Sequence, residues 1–427
     1  MAFIIKTAQT LRNHWKKSTA GLILSLYGIR YVKNRYEEDW IRRALCEEAK
    51  LYGDVALPPG SRPRRVTVFL NPAAQRGNGR KLFEKNAAPI LYLAGMEVNV
   101  VKTEYDGQVK QFMGVLESKD TDGIIVAGGD GTFLETVTGC MRKEDKNYRN
   151  SVPIGIIPVG ETNRFAQIVF GQDLNEVRFI GDAAMSVVKG VTKKYDVLKI
   201  EGSEGKITYA VSGLETGAYR DAESRKSKYW YFGPLKSRWT YLRTAMKSWP
   251  PSFKADISYV LSTEENTKQS KKVEQTPSSS YGWLGFLIGR TNRNNVPLVK
   301  EYDFDDSKDD EEMISEPIST VEFTVNSTNL DTDPKSVEGM TVGIGPSEPT
   351  KSQLIKEGWR RINDKSLKFG TEENRQLVVK KIKFTPEVNE DTDMMINIDG
   401  ESFEALPIEI SLLKDRINVF YKAEAAS

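Results

Sequence analysis

The stretch VAGGDGT, residues 126–132, joins an apolar run to a helical pattern and is the most informative part of this sequence. Glycines at such a junction permit positive φ and let backbone N–H groups approach an anion closely. The amino terminus of the following helix adds further donors and a favourable dipole, so a phosphate group fits there. Asp130 is unexpected, because a carboxylate repels phosphate unless magnesium or an attacking hydroxyl lies between them. The alternative is a tight turn in which Asp130 only caps the helix.

Apolar runs and helical patterns alternate on both sides of this loop. The sequence predicts strands over 66–70, 98–102, 123–127 and 154–158, and helices over 79–93, 108–117 and 133–141. Such alternation is typical of a parallel sheet covered on both faces. We therefore predict a Rossmann-like α/β nucleotide domain over residues 61–193, beginning after the linker that contains Pro58, Pro59 and Gly60.

Polar turns follow each predicted strand of this domain. Asn71 ends the first strand and precedes a glycine-bearing turn at 76–80, Thr103 ends the second, and 160–163 follows the fourth. In open α/β sheets, ligands bind at the carboxyl ends of the strands, where these turns would meet. Neither a P-loop nor a GXGXXG fingerprint follows any strand. The four turns therefore predict a nucleotide site of a different kind.

The second half of the chain has a different pattern of short, half-buried runs. We predict strands there over 197–200, 207–211, 255–260, 321–324, 378–384, 394–398, 408–412 and 417–421, interrupted by a helix at 230–246. This pattern indicates an antiparallel β-sandwich domain over 194–427. Its composition predicts polar surface insertions near 263–280 and 301–317. Between them, the apolar run YGWLGFLIGR (281–290) is either a core strand or a membrane-contacting loop.

The first 60 residues form a basic tail and linker. The first 36 contain no acidic residue, and the uncharged apolar run at 18–29 is shorter than the roughly 20 residues of a spanning helix. This composition fits a mitochondrial targeting segment better than a secretory signal, since no clear cleavage site follows. The run would hold the protein on a membrane, or it is an ordinary amphipathic helix packed on the body. The basic residues are Lys6, Arg12, Lys16, Lys17, Arg30, Lys33 and Arg35.

Composition narrows the possible chemistry. The 427 residues include 61 basic and 59 acidic ones, and the resulting net charge of +2 argues against a protein that coats nucleic acid. The only histidine, His14, lies in the tail, so histidine triads and HEXXH zinc sites are excluded. The thiols of Cys46 and Cys140 give no metal-ligand spacing and no disulfide framework. Asn326-Ser327-Thr328 matches a glycosylation sequon that we attribute to chance.

The segments FLNPAAQRGNGR, VAGGDGT and PVGETNRFA together resemble the diacylglycerol kinase-like catalytic domain, which sphingosine and ceramide kinases share. The stretches LRNHWKK (11–17), FEKNAAPILYLAGMEV (83–98) and SKYWYFGPLK (227–236) narrow the resemblance to the mitochondrial acylglycerol kinases. The resemblance implies an ATP- and Mg²⁺-dependent kinase that converts monoacylglycerol to lysophosphatidate and diacylglycerol to phosphatidate. It also implies the mitochondrial inner membrane, facing the intermembrane space, and a possible second role in the carrier translocase.

The resemblance also assigns site residues. ATP would lie between the two domains, the magnesium ion would bind Asp130 and Asp196, and Asp221 and Glu223 would hold the acceptor hydroxyl. Either Asp130 or the pair Asp399 and Glu401 would assist its deprotonation. The family's Gly-Thr-x-Asn-Asp is here Gly160-Glu161-Thr162-Asn163-Arg164, so arginine replaces one acidic member of the family's magnesium–water network. The nucleotide contacts implied are Asn71, Thr103, Gly128, Gly129, Gly131, Thr132, Gly160 and Lys236.

Two other functions compete with this one. A non-catalytic membrane subunit would use the kinase fold only as an interaction body, and it is favoured by the basic tail, the apolar 281–290 run and Arg164. A soluble NAD or sugar kinase would share the glycine loop but would leave the tail and the 227–236 segment unexplained. The expected partners are therefore ATP, acylglycerol lipids, the mitochondrial membrane and carrier translocase subunits.

Overall fold

The computed structural model of the protein describes residues 15–172, 175–203, 205–246, 249, 251–262, 313–330, 339–363, 366–371, 373–387 and 394–422. The described chain begins with a long helix, α1 (Trp15–Gly53). An exposed linker over 54–63 separates α1 from the first strand. His14, the segment 263–280 and the apolar run 281–290 lie outside the described residues.

The first half forms an α/β unit. Its four parallel strands, β1 (Arg65–Leu70), β2 (Glu97–Lys102), β3 (Gly123–Gly128) and β4 (Ile154–Pro158), lie in the order β4-β3-β1-β2. One apolar cluster, including Phe69 and Val126, covers one face, and another, including Val68 and Ile125, covers the other. The predicted parallel sheet is therefore confirmed. Its helices are α2 (Ala74–Gly77), α3 (Gly79–Asn86), α4 (Ala88–Leu93), α5 (Gln108–Val115), α6 (Asp130–Met141), α7 (Lys146–Ser151), α8 (Arg164–Phe170) and α9 (Glu176–Lys189).

Two helix predictions in this half need correction. The helix predicted over 79–93 is two helices, because the chain breaks at Ala87 and Pro89 lies in the first turn of α4, a position where proline suits a new helix. The helix predicted to start at Phe133 starts at Asp130 instead. Asp130 and Gly131 therefore belong to the first turn of α6.

The second half is a β-sandwich, as predicted. Its strands are β5 (Thr192–Gly202), β6 (Ile207–Ala210), β7 (Gly213–Gly217), β8 (Phe253–Leu261), β9 (Ile314–Thr320), β10 (Glu322–Asn326), β11 (Met340–Ile344), β12 (Arg375–Pro386), β13 (Met395–Ile398), β14 (Glu401–Glu404) and β15 (Ile408–Phe420). One group of strands pairs in the order β14-β13-β7-β10-β11-β12. Strand β12 also pairs with β8 and with β15, and β15 pairs in turn with β5. Side chains from these strands form one core, where the rings of Phe323 and Phe384 stack with centroids 4.4 Å apart.

Helices cover part of this sandwich. They are α10 (Ala218–Ser224), an irregular 3₁₀ segment (Arg225–Leu235), α11 (Lys236–Ala245) and α12 (Lys351–Asn363). The helix predicted over 230–246 is wrong in its first part, because Gly233 has positive φ and Pro234 follows it. A proline there removes a backbone donor, so the α-helix starts only at Lys236.

Three further predictions differ from the observed sandwich. The strands predicted over 408–412 and 417–421 form one long β15, with a register shift between Leu413 and Ile417. The insertion predicted to reach residue 317 ends sooner, because β9 begins at Ile314. Asn326 of the sequon is buried and hydrogen-bonded to Phe369 in both directions, which fits the assignment of the sequon to chance.

Helix α1 has two different parts. Towards its end, Ile41 and Ala49 are buried and Leu45 packs against Gly181 of α9. Earlier, the apolar side chains of the 18–29 run are more than half exposed. No helix among the described residues combines the length and apolar composition that a bilayer crossing requires. The predicted tail of residues 1–60 therefore contains a segment that packs on the α/β half.

Candidate active site

The polar turns at the carboxyl ends of the four parallel strands meet at one edge. The backbone N–H of Asn71 donates to the carbonyl of Ala127 at 3.0 Å, and its side-chain amide donates to Thr132 at 3.2 Å. The backbone N–H of Thr103 donates to Leu70 at 2.9 Å, which places the end of β2 beside that of β1. The predicted nucleotide contacts of the first domain thus lie together, although their contact with ATP stays a prediction.

The glycine loop after β3 packs directly against the turn after β4. A Cβ built on Gly160 would overlap the Cα of Gly129 and lie 2.7 Å from its nitrogen. A Cβ on Gly129 would lie 2.9 Å from the carbonyl of Thr162. Because the obstructing atoms belong to the backbone, no side-chain rotation could relieve the overlap. Gly129 and Gly160 therefore fix the distance between the two turns.

We expect Gly160→Ala to separate these turns. Overpacking of a tight interior typically costs about 1–3 kcal/mol, so the free energy of unfolding should fall by about that amount and ATP affinity should fall with it. Urea denaturation and titration with a fluorescent ATP analogue would measure both effects. Gly114→Ala is the matched control, because a Cβ there meets nothing within 4 Å. Equal behaviour of the two variants would contradict the packing argument.

Asp130 does not cap the helix that follows the glycine loop, because it is the first residue of α6 and Gly129 holds the N-cap position. It lies instead against the start of another helix, α8. Its carboxylate accepts the backbone N–H groups of Arg164 at 3.0 Å and Phe165 at 3.2 Å, at the start of α8. Burial raises the pKa of Asp130, while these donors oppose the rise. The Thr162 side chain is a third hydrogen-bond partner. A carboxylate offers about four lone-pair sites, so these three bonds still leave capacity for a further ligand. The contact with α8 and a role toward magnesium are therefore compatible.

The segment Asp399-Gly400-Glu401 forms the turn between β13 and β14. Asp399 and Gly400 have φ values of 45° and 91°, the positive values that a tight hairpin turn of this type requires. Asp399 is buried, and its carboxylate accepts the backbone N–H groups of Val211, Ser212 and Gly213 at 2.6 to 2.9 Å. Burial raises the pKa of Asp399 to about 6. Asp399 therefore anchors this turn against the start of β7.

Glu401 reaches across to the glycine loop. Its carboxylate occupies the space that a Cβ on Gly131 would take, so Glu401 lies directly against the first turn of α6. The side chain of Glu401 makes no hydrogen bond or ion pair with another residue of the described chain, and its neighbours Asp106, Glu135 and Asp130 are acidic. Burial and these charges raise its pKa. Of the three predicted catalytic carboxylates, Glu401 is the one whose oxygens are free.

Arg164 connects this edge to the second domain. Its guanidinium donates to the carbonyl of Leu367 at 2.8 Å and lies 3.8 Å from the ring centroid of Phe369. Phe369 is buried and held by Asn326. The side chain that departs from the family pattern therefore bridges the two domains. The sequence showed that Arg164 departs from the family pattern, but it did not predict the contacts of Arg164 with Leu367 and Phe369.

The remaining predicted ligands occupy other surroundings. Asp196 accepts hydrogen bonds from the hydroxyl of Thr328 and, at 2.7 Å, from the backbone N–H of Asp415. Asp221 pairs with Arg220 at 3.1 Å, and Glu223 pairs with Lys226 at 2.5 Å. Lys236 is half-buried at the start of α11. No described hydrogen bond links these four side chains to Asp130, so their roles at the site stay predictions.

Sequence reasoning missed one half-buried pair, Glu215 and Asn397. Glu215 of β7 accepts a hydrogen bond from the amide of Asn397 of β13 at 2.8 Å, and burial raises its pKa. Asn397 lies on β13 two residues before Asp399, which begins the following turn, and its Oδ1 has no partner in the described structure. The alternating pattern of β13, with Ile396 and Ile398 in the core, was the available signal.

Comparison with known proteins agrees with both halves of this arrangement. Residues 65–200 match the diacylglycerol kinase catalytic domain, and residues 211–427 match the acylglycerol kinase C-terminal domain. The chain is 38% identical over 415 residues to the mitochondrial acylglycerol kinase of Homo sapiens, covering 96% of this chain and 95% of that protein. The protein of the same name from Xenopus laevis is 36% identical over 427 residues, covering 98% and 95%.

More distant relatives share parts of the chain. A ceramide kinase of Mus musculus is 29% identical over 196 residues, which cover 43% of this chain and 36% of that protein. The crystal structure of a diacylglycerol kinase from Bacillus anthracis str. Sterne superposes with a TM-score of 0.51 at 18% identity. That superposition covers 84% of this chain and 98% of the bacterial one, and it supports the two-domain fold.

Proposed function

This chain belongs to the acylglycerol kinase family and is a lipid kinase, and from that premise we propose that it transfers phosphate from ATP to acylglycerols. Monoacylglycerol would yield lysophosphatidate, and diacylglycerol would yield phosphatidate. The observation that carries the proposal is the contact between Glu401 and the glycine loop at Gly131. It brings an unpaired carboxylate of the second domain to the helix terminus where ATP phosphates are expected.

Magnesium fits this site as a companion of ATP. Among the described residues, no group of three or more acidic, histidine or cysteine side chains converges to hold a metal ion. Mg²⁺ usually binds one or two carboxylates together with substrate phosphates and water. Asp130 has lone pairs left for such binding, and the acidic neighbours Asp106 and Glu135 favour a cation nearby. When bound, the ion would neutralise charge on the transferred phosphoryl group.

The structure suggests how this chain's own residues would divide the chemistry. Asp399 accepts three backbone N–H groups and holds the turn, and Asp130 binds the start of α8. Glu401 remains to accept the proton of the acceptor hydroxyl as it attacks the γ-phosphorus. The raised pKa of Glu401 suits this task, because a base works best when its pKa approaches the working pH.

We also propose that the enzyme works at the mitochondrial inner membrane, on the side facing the intermembrane space. Its relatives are named mitochondrial, and the exposed apolar side chains of α1 between Leu22 and Ile29 could enter a bilayer surface. The same exposed face would serve a second function as a subunit of the carrier translocase. These assignments depend on α1 and are independent of the carboxylate chemistry.

Phosphate transfer from labelled ATP tests the proposed reaction directly. We expect the purified full chain to phosphorylate monoacylglycerol and diacylglycerol in mixed micelles, and to lose this activity when EDTA removes magnesium. Ceramide and sphingosine serve as alternative acceptors in the same assay. Transfer to neither acylglycerol, with a chain that still binds ATP, would contradict the proposal.

A further inference from the structure

The 3₁₀ segment and the start of α11 form an exposed aromatic surface. The rings of Tyr229, Tyr231 and Phe232 contact one another, and Phe232 stacks on Trp239 with centroids 4.6 Å apart. No side chain of the 3₁₀ segment is buried. Trp230 is 77% exposed, Tyr231 62% and Leu235 56%. We call this set, from Tyr229 to Trp239, the aromatic surface.

The charge around the aromatic surface has one sign. Residues 225–246 contain six basic side chains and no acidic one. Arg225 and Lys226 pair with acidic residues of α10. The remaining cations, Lys228, Lys236, Arg238 and Arg243, form no ion pair with a described residue, although Arg238 lies 6.0 Å from the ring of Trp359. The positive charge of this surface is therefore largely uncompensated.

We propose that the aromatic surface docks on an anionic lipid bilayer. Tryptophan and tyrosine favour the membrane–water interface, where an apolar ring can enter while its polar atom stays hydrated. Basic side chains nearby are attracted to anionic head groups. A protein partner would need a matching acidic and apolar face, whereas an anionic bilayer offers both properties at once. The docking is distinct from any contact made by α1.

The position of the surface relates it to the active site. The 3₁₀ segment continues directly from α10, and Arg220 of α10 donates to the hydroxyl of Ser402 at 2.5 Å. Ser402 follows Glu401 in the same hairpin. A bilayer held at the aromatic surface would thus be connected through one short helix to the proposed base. The inference rests on the proposed function and deepens it, because it names the face of the protein that would lie on the membrane holding the lipid acceptor.

A fluorescent probe on the surface can test docking without any phosphate transfer. The full chain with Cys46→Ser and Trp230→Cys is labelled with an environment-sensitive NBD group, since Cys140 is buried. A matched probe replaces Tyr92, which is 55% exposed in the α/β half. With phosphatidylcholine–phosphatidylglycerol vesicles we expect a blue shift at position 230 and none at 92. Phosphatidylcholine alone should give a much weaker shift.

Charge reversal supplies the second measurement. Lys228→Glu with Arg238→Glu should raise the vesicle concentration at half shift by roughly tenfold or more. Lys81→Glu with Lys414→Glu changes the net charge equally and should have little effect. Absence of the shift at position 230, equal shifts at both positions, or indifference to the Lys228 and Arg238 changes would overturn the proposal. A shift without vesicles as protein concentration rises would assign the surface to self-association instead.

These outcomes separate the docking surface from the reaction. If vesicles shift the probe but wild-type protein phosphorylates no acylglycerol, the docking stands and the proposed function fails. If the enzyme phosphorylates acylglycerols but vesicles do not shift the probe at position 230, the proposed function stands and the docking proposal fails. Compared with wild type, a variant with Trp230→Ser and Tyr231→Ser should lose more activity on vesicle-embedded acylglycerol than on short-chain, dissolved acylglycerol.

Discussion

Glu401→Gln should lower kcat by about 10²–10⁴-fold while leaving the fold intact. Loss of a general base typically costs this much, and glutamine keeps the size of the side chain but cannot accept the proton. Because Glu401 makes no hydrogen bond or ion pair in the described structure, we expect the melting temperature to change little. Steady-state kinetics with monoacylglycerol and a thermal melt would measure the two quantities. ATP affinity should remain within a few-fold of wild type.

Two variants control this experiment. Glu404→Gln changes another exposed glutamate of β14 and should leave kcat unchanged. Asp399→Asn would place an amide N–H₂ group against backbone donors, so it should cost about 1–3 kcal/mol of stability. A Glu401→Gln enzyme with wild-type kcat would exclude Glu401 as the base and return the role to Asp130.

The pH dependence of kcat is an independent test of Glu401 as the general base. A base must be ionised to act, so kcat should fall as the pH drops through the pKa of Glu401. Burial and the acidic neighbours Asp106, Glu135 and Asp130 raise that pKa above the 4.5 of an unperturbed glutamate. The acidic limb of the profile should therefore lie above pH 4.5. Neutralising Glu135 with glutamine should move the limb to lower pH, because it removes one of the repelling charges.

We call the sheet edge at which the four polar turns meet the nucleotide edge, after its proposed ligand. This edge could be predicted from the sequence because the sequence patterns that specify it are local. Apolar runs ending in Asn71, Thr103 and the 126–132 loop fix both the strands and the edge at which their turns meet. The glycines of these turns also help to predict the edge. The backbones of Gly129 and Gly160 are in contact, so neither position has room for a side chain. Local pattern and long-range packing agree at this edge, so the prediction that the turns meet there is confirmed, and nucleotide binding at this edge stays a prediction.

The division of roles among the carboxylates could not be predicted, because it depends on long-range contacts. Asp399 is occupied by donors 186 to 188 residues earlier in the chain, and Arg164 binds a carbonyl 203 residues later. Asp130, Asp399 and Glu401 look alike as isolated acidic residues. Only the fold shows which of these carboxylates has free oxygens. The hydrogen bond between Glu215 and Asn397 likewise joins residues far apart in the chain and is visible only in the fold.

Arg361→Met should destabilise the protein by about 3–5 kcal/mol, the usual cost of leaving one member of a buried ion pair uncompensated. Arg361 of α12 binds both oxygens of Glu322, at 2.5 and 2.8 Å, and Glu322 is only 1% exposed. The guanidinium also lies 3.9 Å from the ring centroid of Tyr219 in α10. The variant would therefore leave the Glu322 carboxylate without its cationic partner beneath the helices that cover the sandwich.

The urea midpoint and the slope of the unfolding curve measure this effect. Arg360→Met is the matched control on the same helix, where Arg360 is half exposed and pairs with Glu357, so its cost should stay within about 1 kcal/mol. The double variant Glu322→Gln with Arg361→Met removes both charges and should recover part of the lost stability, because the penalty arises from the unpaired carboxylate. If the double variant is less stable than Arg361→Met alone, burial of the Glu322 charge is not the cause.

The segment that follows α12 includes Leu367 and Phe369, which hold Arg164. Loosening α12 should therefore also weaken the link between the domains, and Arg361→Met should raise the KM for ATP although it lies outside the nucleotide edge.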